Sequence, residues 1–155
     1  MDDETNAHIE LEYFWPYQVV VLADQISRHT LSVVREQSGL NLSQWRVLAA
    51  VADKPSCSAA QVTTVTPMDK TIVSRAVASL IKIGLIQKSP TKLDKRSHAL
   101  TATRTGLEVY ENISKELNRK LIFNNHDSIS HDNFLKLVKS YSRQMMKINA
   151  QDAEP

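Results

Sequence analysis

The sequence predicts a mainly α-helical protein with one small β-hairpin. Three observations carry this expectation. Only three glycines and five prolines punctuate 155 residues, which suits long helices better than a many-turned β-sandwich or barrel. Apolar residues recur at helical spacing through several segments, and the stretch from Leu85 to Thr101 breaks into two short strand-like runs around a turn-prone connection. With 42% hydrophobic and 23% charged residues, the chain can bury a core and lies outside the composition of disordered chains.

Residues 1–8 lack apolar periodicity and are expected to form a flexible tail. From Tyr17, the positions Val20, Val21, Ile26, Leu31 and Val34 approximate one helical face that ends near Gly39, a natural residue just past a helix end. Pro16 fits the first turn, where its missing N–H has no intrahelical partner, and Tyr13 to Trp15 can add an earlier turn. Ser43 has the form of an N-cap for a second helix running to Ala52, with Leu42 and Val47 placed as a hydrophobic staple. After the Lys54-Pro55 break, Ser58-Ala59-Ala60-Gln61 has capping-box form and opens a short third helix.

Thr66-Pro67-Met68-Asp69 is a further start signal: threonine at the cap, proline at the first helical position, and a carboxylate near the positive helix end. The fourth helix is expected to continue through Ile83 and stop at Gly84, with Ile72, Val73, Ala76, Val77, Leu80 and Ile83 as its apolar stripe. Leu85 to Lys88 and Ser97 to Thr101 form the hairpin, with Ser89-Pro90 opening its turn. Thr103 caps a fifth helix with apolar positions Leu107, Val109, Tyr110, Ile113, Leu117 and Leu121. Ser130 caps a sixth, with Phe134, Leu135, Val138, Tyr141 and Met145, and the chain is expected to trail off over 149–155.

The formal net charge of +2 hides an uneven distribution. From Thr66 to Arg104, eight basic residues face only Asp69 and Asp94, a local charge of +6, so the remainder carries −4. A basic segment inside an acidic chain is the footprint of an anionic partner, most often nucleic acid, although a solvated face would look the same on charge alone. Cys57 is the only cysteine, so no intramolecular disulfide forms. The start Met1-Asp2-Asp3-Glu4 is acidic rather than signal-like, and apolar runs such as Val19 to Ala23 are far too short to span a bilayer. A cytoplasmic location is expected. The five histidines show no metal-ligand spacing, and there is no nucleophile elbow, phosphate loop or paired-carboxylate motif. No enzyme activity, cofactor or metal is expected.

The order of elements is informative: short helix, turn, second helix ending at glycine, then a hairpin with a cationic tip. This is the winged helix-turn-helix arrangement, in which a helix enters the major groove and its first half touches base edges. Here that half holds Thr66, Met68, Asp69, Lys70, Thr71, Ser74 and Arg75. The arginine can be bidentate to guanine or can clamp a phosphate; Ser74 and Thr71 can bond either, and Asp69 either joins the contact surface or does no more than cap the helix. On the hairpin, Lys92, Lys95 and Arg96 can reach phosphates or the minor groove. Asp94 either pairs with Arg96 and fixes its direction or is an ordinary turn-forming aspartate.

The run Leu42-Ser43-Gln44-Trp45-Arg46-Val47-Leu48, then Ser74-Arg75, Gly84-Leu85-Ile86, Asp94-Lys95-Arg96 and Thr103-Arg104-Thr105-Gly106 resembles the MarR family of transcriptional regulators. The likeness covers most of the chain; Ala102 departs from it, because the family usually has a larger aliphatic residue there. The resemblance implies a homodimer. A helical dimerisation region would comprise 9–40 and 103–148, with a DNA-binding lobe at 41–102 reading a pseudo-palindromic operator. It also implies a repressor released by a small aromatic carboxylic acid or its coenzyme A thioester. Tyr13, Trp15, Tyr17, His29, Trp45 and Arg46, with Phe14, are the candidate effector residues, aromatic walls and one cation that suit an aromatic acid; the plainer reading is that they are core. Some relatives sense oxidants through a first-helix cysteine, whereas Cys57 precedes the third helix and reads as inert. A winged-helix protein-interaction module that does not read DNA is the alternative.

Overall fold

A computed structural model describes residues 8–54, 56–90, 98–121 and 130–152. Its elements are α1 (Trp15–Ser38), α2 (Leu42–Ala52), α3 (Ala59–Val65), α4 (Lys70–Lys82), β1 (Ile86–Pro90), β2 (His98–Ala102), α5 (Arg104–Leu121) and α6 (His131–Gln151). They fall into two compact units, Met1–Arg119 and Lys120–Pro155. Among the described residues, no helix is long and apolar enough to cross a membrane.

The first helix begins two residues earlier than the periodicity suggests. The N–H groups of Tyr13 and Phe14 both donate to the Glu10 carbonyl at 3.0 Å, and this turn leads into Trp15 and Pro16. At the other end Gly39 takes φ 69°, and its N–H closes onto the Arg35 carbonyl, a left-handed residue that ends a helix without a Cβ penalty.

Two helix starts correct the sequence reading. The cap of α2 is Asn41, not Ser43. The Asn41 side chain accepts from the Gln44 N–H at 2.9 Å while the Gln44 side chain accepts from the Asn41 N–H at 2.8 Å. Both residues are cap-competent, but only Asn41 has a glutamine three positions on to complete the reciprocal pair; Ser43 would have Arg46, which has no acceptor. The staple shifts accordingly to Leu40 and Trp45, both buried in one cluster. The cap of α4 is Asp69, not Thr66: its carboxylate accepts from the Ile72 N–H at 2.8 Å. Thr66 is already committed, because its hydroxyl donates to the Val62 carbonyl at 2.8 Å and finishes α3. The expected caps elsewhere are present. Ser58 and Gln61 form a capping box, Thr103 accepts from the Gly106 N–H at 3.0 Å, and Ser130 accepts from the Asn133 N–H at 3.2 Å.

The hairpin is antiparallel, with Ile86 opposite Ala102 and Lys88 opposite Leu100. Cys57 forms an additional bridge, donating to and accepting from Leu100 at 3.2 and 2.7 Å. Leu48 of α2, Leu80 of α4, Ile86 of β1, Leu100 of β2 and Ile113 of α5 are fully buried together. Each contributes about 1.5–3 kcal/mol through removal from water. The α4 stripe is narrower than its sequence suggests: Val73, Ala76, Val77 and Leu80 are buried, whereas Ile72 and Ile83 are exposed. In α6 the helix continues to Gln151, past the expected end at 148.

Candidate nucleic-acid interface

The core contacts of α4 decide which side chains face outward. Successive helical residues turn by about 100°, so burial of Val73, Ala76, Val77 and Leu80 leaves Thr71, Arg75, Ala78 and Lys82 along the opposite ridge. Lys70 and Ser74 lie on one flank, and Ile72 and Ser79 on the other. Lys70, Thr71, Ser74 and Arg75 are all exposed. Ion pairs among the described residues include Arg28 with Asp24, Arg104 with Glu108 and Arg119 with Glu116; none of these involves Lys70 or Arg75. Both cations are therefore available to an external anion.

Three of the expected contact residues have other duties. Met68 is a correction: it is only 8% exposed and packs in the core cluster, pinning the turn between α3 and α4. Its apolar, unbranched side chain fills the gap under the turn rather than pointing at solvent. Thr66 is half-buried, with its hydroxyl used on α3. Asp69 is exposed but holds the first turn of α4, where its charge sits against the positive helix end. Lys92, Asp94, Lys95 and Arg96 lie outside the described residues. The strands that carry their loop are rooted in the core at Ile86 and Leu100.

Sequence spacing missed one neighbourhood. Arg75 lines a crevice of about 270 Å³ with Asn41, Ser43 and Gln44 from the start of α2 and with Ile72 and Ser79 from its own helix. The Gln44 Nε2 donates to Ser79 Oγ at 2.7 Å and ties the two helices together. These residues are some 30 positions apart in the chain, so no local pattern brings them together.

The candidate effector residues do not converge on one cavity among the described residues. Trp45 is a correction: it is buried and stacks on Tyr110 of α5, with ring centroids 5.7 Å apart at 20°. Its ring is a core element joining α2 to α5. Tyr13, Trp15 and Tyr17 are exposed, and Arg46 is half-buried. His29 is also half-buried, and its Nε2 is shielded from solvent without a hydrogen-bond partner. A shallow concavity of about 360 Å³ is lined by His8, Ile9, Glu10, Tyr13 and Phe14, so it includes only Tyr13 of the six. Cys57 is 3% exposed, and burial pushes its thiol pKa up, with Lys54 opposing more weakly. That is the environment of an inert thiol rather than a reactive thiolate.

Residues 38–97 match the family model described as MarR family. No curated protein matches the chain in sequence. The fold is similar to that of a MarR/EmrR family transcriptional regulator from Acinetobacter sp. ADP1 (TM-score 0.78, 22% identity, covering 90% of this chain and 99% of that one). It is also similar to a mutant MarR from E. coli complexed with operator DNA (TM-score 0.68, 15% identity, 88% and 98%). A third similar structure is that of Bordetella bronchiseptica BpsR, whose DNA binding is regulated by 6-hydroxynicotinic acid (TM-score 0.57, 19% identity, 83% and 98%).

Proposed function

We propose that this chain, whose residues 38–97 match the MarR family model, is a dimeric transcriptional repressor that occupies a pseudo-palindromic DNA operator and is released by a small aromatic acid. The observation that carries the DNA reading is the unpaired outer ridge of α4. Lys70, Thr71, Ser74 and Arg75 are exposed together on a helix whose other face is locked into the core. Such a helix can enter the major groove without unfolding anything, and its cations find there the phosphates that they lack within the lobe. Lys92, Asp94, Lys95 and Arg96 remain proposed DNA contacts on the sequence reading alone.

The exposed apolar face of α6 supports the dimer reading. Phe134, Leu135, Val138, Tyr141 and Met145 are 42–47% exposed, and a two-fold partner would cover them; a pseudo-palindromic operator would then present its two half-sites to the two lobes about one DNA turn apart. Repression follows from occupancy, because a bound dimer excludes other proteins from the same duplex. The effector reading rests on Tyr13, Trp15, Tyr17, His29 and Arg46, aromatic surface with a cation and an unsatisfied ring nitrogen, and on the regulation of the similar BpsR by a heteroaromatic acid. An effector of this kind must bind one lobe spacing more tightly than the other.

Binding to a library of promoter fragments at several salt concentrations tests the reading. A subset is expected to bind at least about a thousandfold more tightly than the rest, with affinity falling steeply as salt rises. Aromatic acids that raise the melting temperature should weaken binding to that subset. A shallow salt dependence without fragment preference would instead mark the winged lobe as a protein-interaction module.

A further inference from the structure

We propose that Arg75 grips the DNA backbone from the crevice between α2 and α4, as a phosphate contact paired with Ser43, and does not read a base; this rests on the DNA reading above. Three features point the same way. Arg75 stands on the side of the outer ridge that turns toward Ile72 and Ser79, and it lines the crevice with Asn41, Ser43 and Gln44. No carboxylate lines that crevice, and the guanidinium has no ion-pair partner among the described residues. Finally, the polar groups opposite it include donors. The Ser43 hydroxyl is uncommitted there, and Asn41 has already used its carboxamide oxygen on the Gln44 N–H. The Ser43 N–H lies in the first turn of α2, ahead of the first intrahelical bond.

A shallow crevice lined by an arginine and by the serine in the first turn of α2, with no carboxylate among its lining residues, fits a tetrahedral oxyanion better than a flat base edge. The Gln44–Ser79 hydrogen bond fixes the width of the crevice. Base reading then falls to Lys70, Thr71 and Ser74, on the ridge and the opposite flank. Arg75 would set how deeply and in which register α4 sits.

The test measures duplex binding by fluorescence anisotropy for the full-length protein, against a preferred duplex and a set carrying single base-pair changes, across a salt series. Arg75→Ala is expected to weaken every duplex by roughly tenfold, to lower the slope of log affinity against log salt by about one, and to leave the ranking of the duplexes unchanged. Arg75→Lys should recover most of the loss, because a phosphate accepts a point charge where a guanine edge needs the fork. Ser43→Asp is the structural control. A carboxylate in the first turn favours the α2 helix, so its melting temperature should hold or rise while DNA affinity falls on all duplexes alike. If Arg75→Ala keeps the wild-type salt slope and erases the preference at one base pair, Arg75 reads that base and the proposal is wrong. If Ser43→Asp binds as well as wild type, the crevice takes no phosphate and the proposal is equally wrong. Absence of duplex preference in the wild type would overturn the DNA reading itself, an outcome distinguishable from both.

Discussion

Replacing Gly106 with alanine is expected to destabilise the winged lobe by about 3 kcal/mol or more, a large fraction of the stability of a single domain. A Cβ at this position would stand 1.9 Å from the Leu85 carbonyl oxygen and 2.9 Å from its carbon. Both are backbone atoms that cannot swing aside. The carbonyl is held where it is because the Thr103 N–H donates to it at 3.0 Å, while the Thr103 hydroxyl donates to the Gly84 carbonyl at 2.7 Å. The Gly106 N–H in turn donates to the Thr103 oxygen. Thr103 and Gly106 thus form one device that clamps the start of α5 onto the segment entering β1, the base of the hairpin. Alanine would gain about 1 kcal/mol in helix propensity, and the clash must exceed that gain. Urea denaturation reads the difference. Gly39→Ala is the comparison: nothing lies within 4 Å of its added Cβ, so only the left-handed φ of 69° resists it, at about 1–2 kcal/mol. Equal midpoints for Gly106→Ala and wild type would contradict the close approach.

The second large effect is on assembly. A chain carrying Val138→Glu should sediment as a 17.5 kDa monomer where the wild type sediments at twice that mass. Val138 is 47% exposed in the isolated chain, so the carboxylate would be solvated in a monomer and the monomer fold left intact. In a two-fold assembly the same substitution enters the interface twice. Each buried unpaired carboxylate costs several kcal/mol, so the dissociation constant should rise at least about a thousandfold. A wild-type chain that remains monomeric at high micromolar concentration would contradict the assignment of the α6 face. So would a variant that dimerises normally.

The reasons why some features were legible in the sequence and others were not are physical. Capping is local, so Ser58, Thr103 and Ser130 were readable from a few residues each. Where two cap-competent residues stand close together, the choice depends on which can complete its bonds: Asn41 prevails over Ser43 because Gln44 answers it, and Asp69 prevails over Thr66 because Thr66 is used by α3. The amphipathic period of α4 gave the outward ridge, but it could not show that Ile72 and Ile83 fall outside the buried stripe. Burial of Met68, stacking of Trp45 on Tyr110, pairing of Cys57 with Leu100 and the crevice shared by Ser43 and Arg75 all join residues distant in the chain. Periodicity within one helix carries no information about such contacts. The Thr-x-x-Gly pattern was visible as a resemblance, while its cause, the approach of Gly106 to Leu85, required three dimensions.

The claim on which the functional account depends is that the outer ridge of α4 lies against duplex DNA. A photoreactive amino acid placed at Thr71, with a second protein carrying it at the exposed Glu111 of α5, measures this directly when each is irradiated with a preferred duplex. The account requires a covalent protein–DNA adduct from position 71 and none above background from position 111. No adduct from position 71, or equal yields from both, would contradict it.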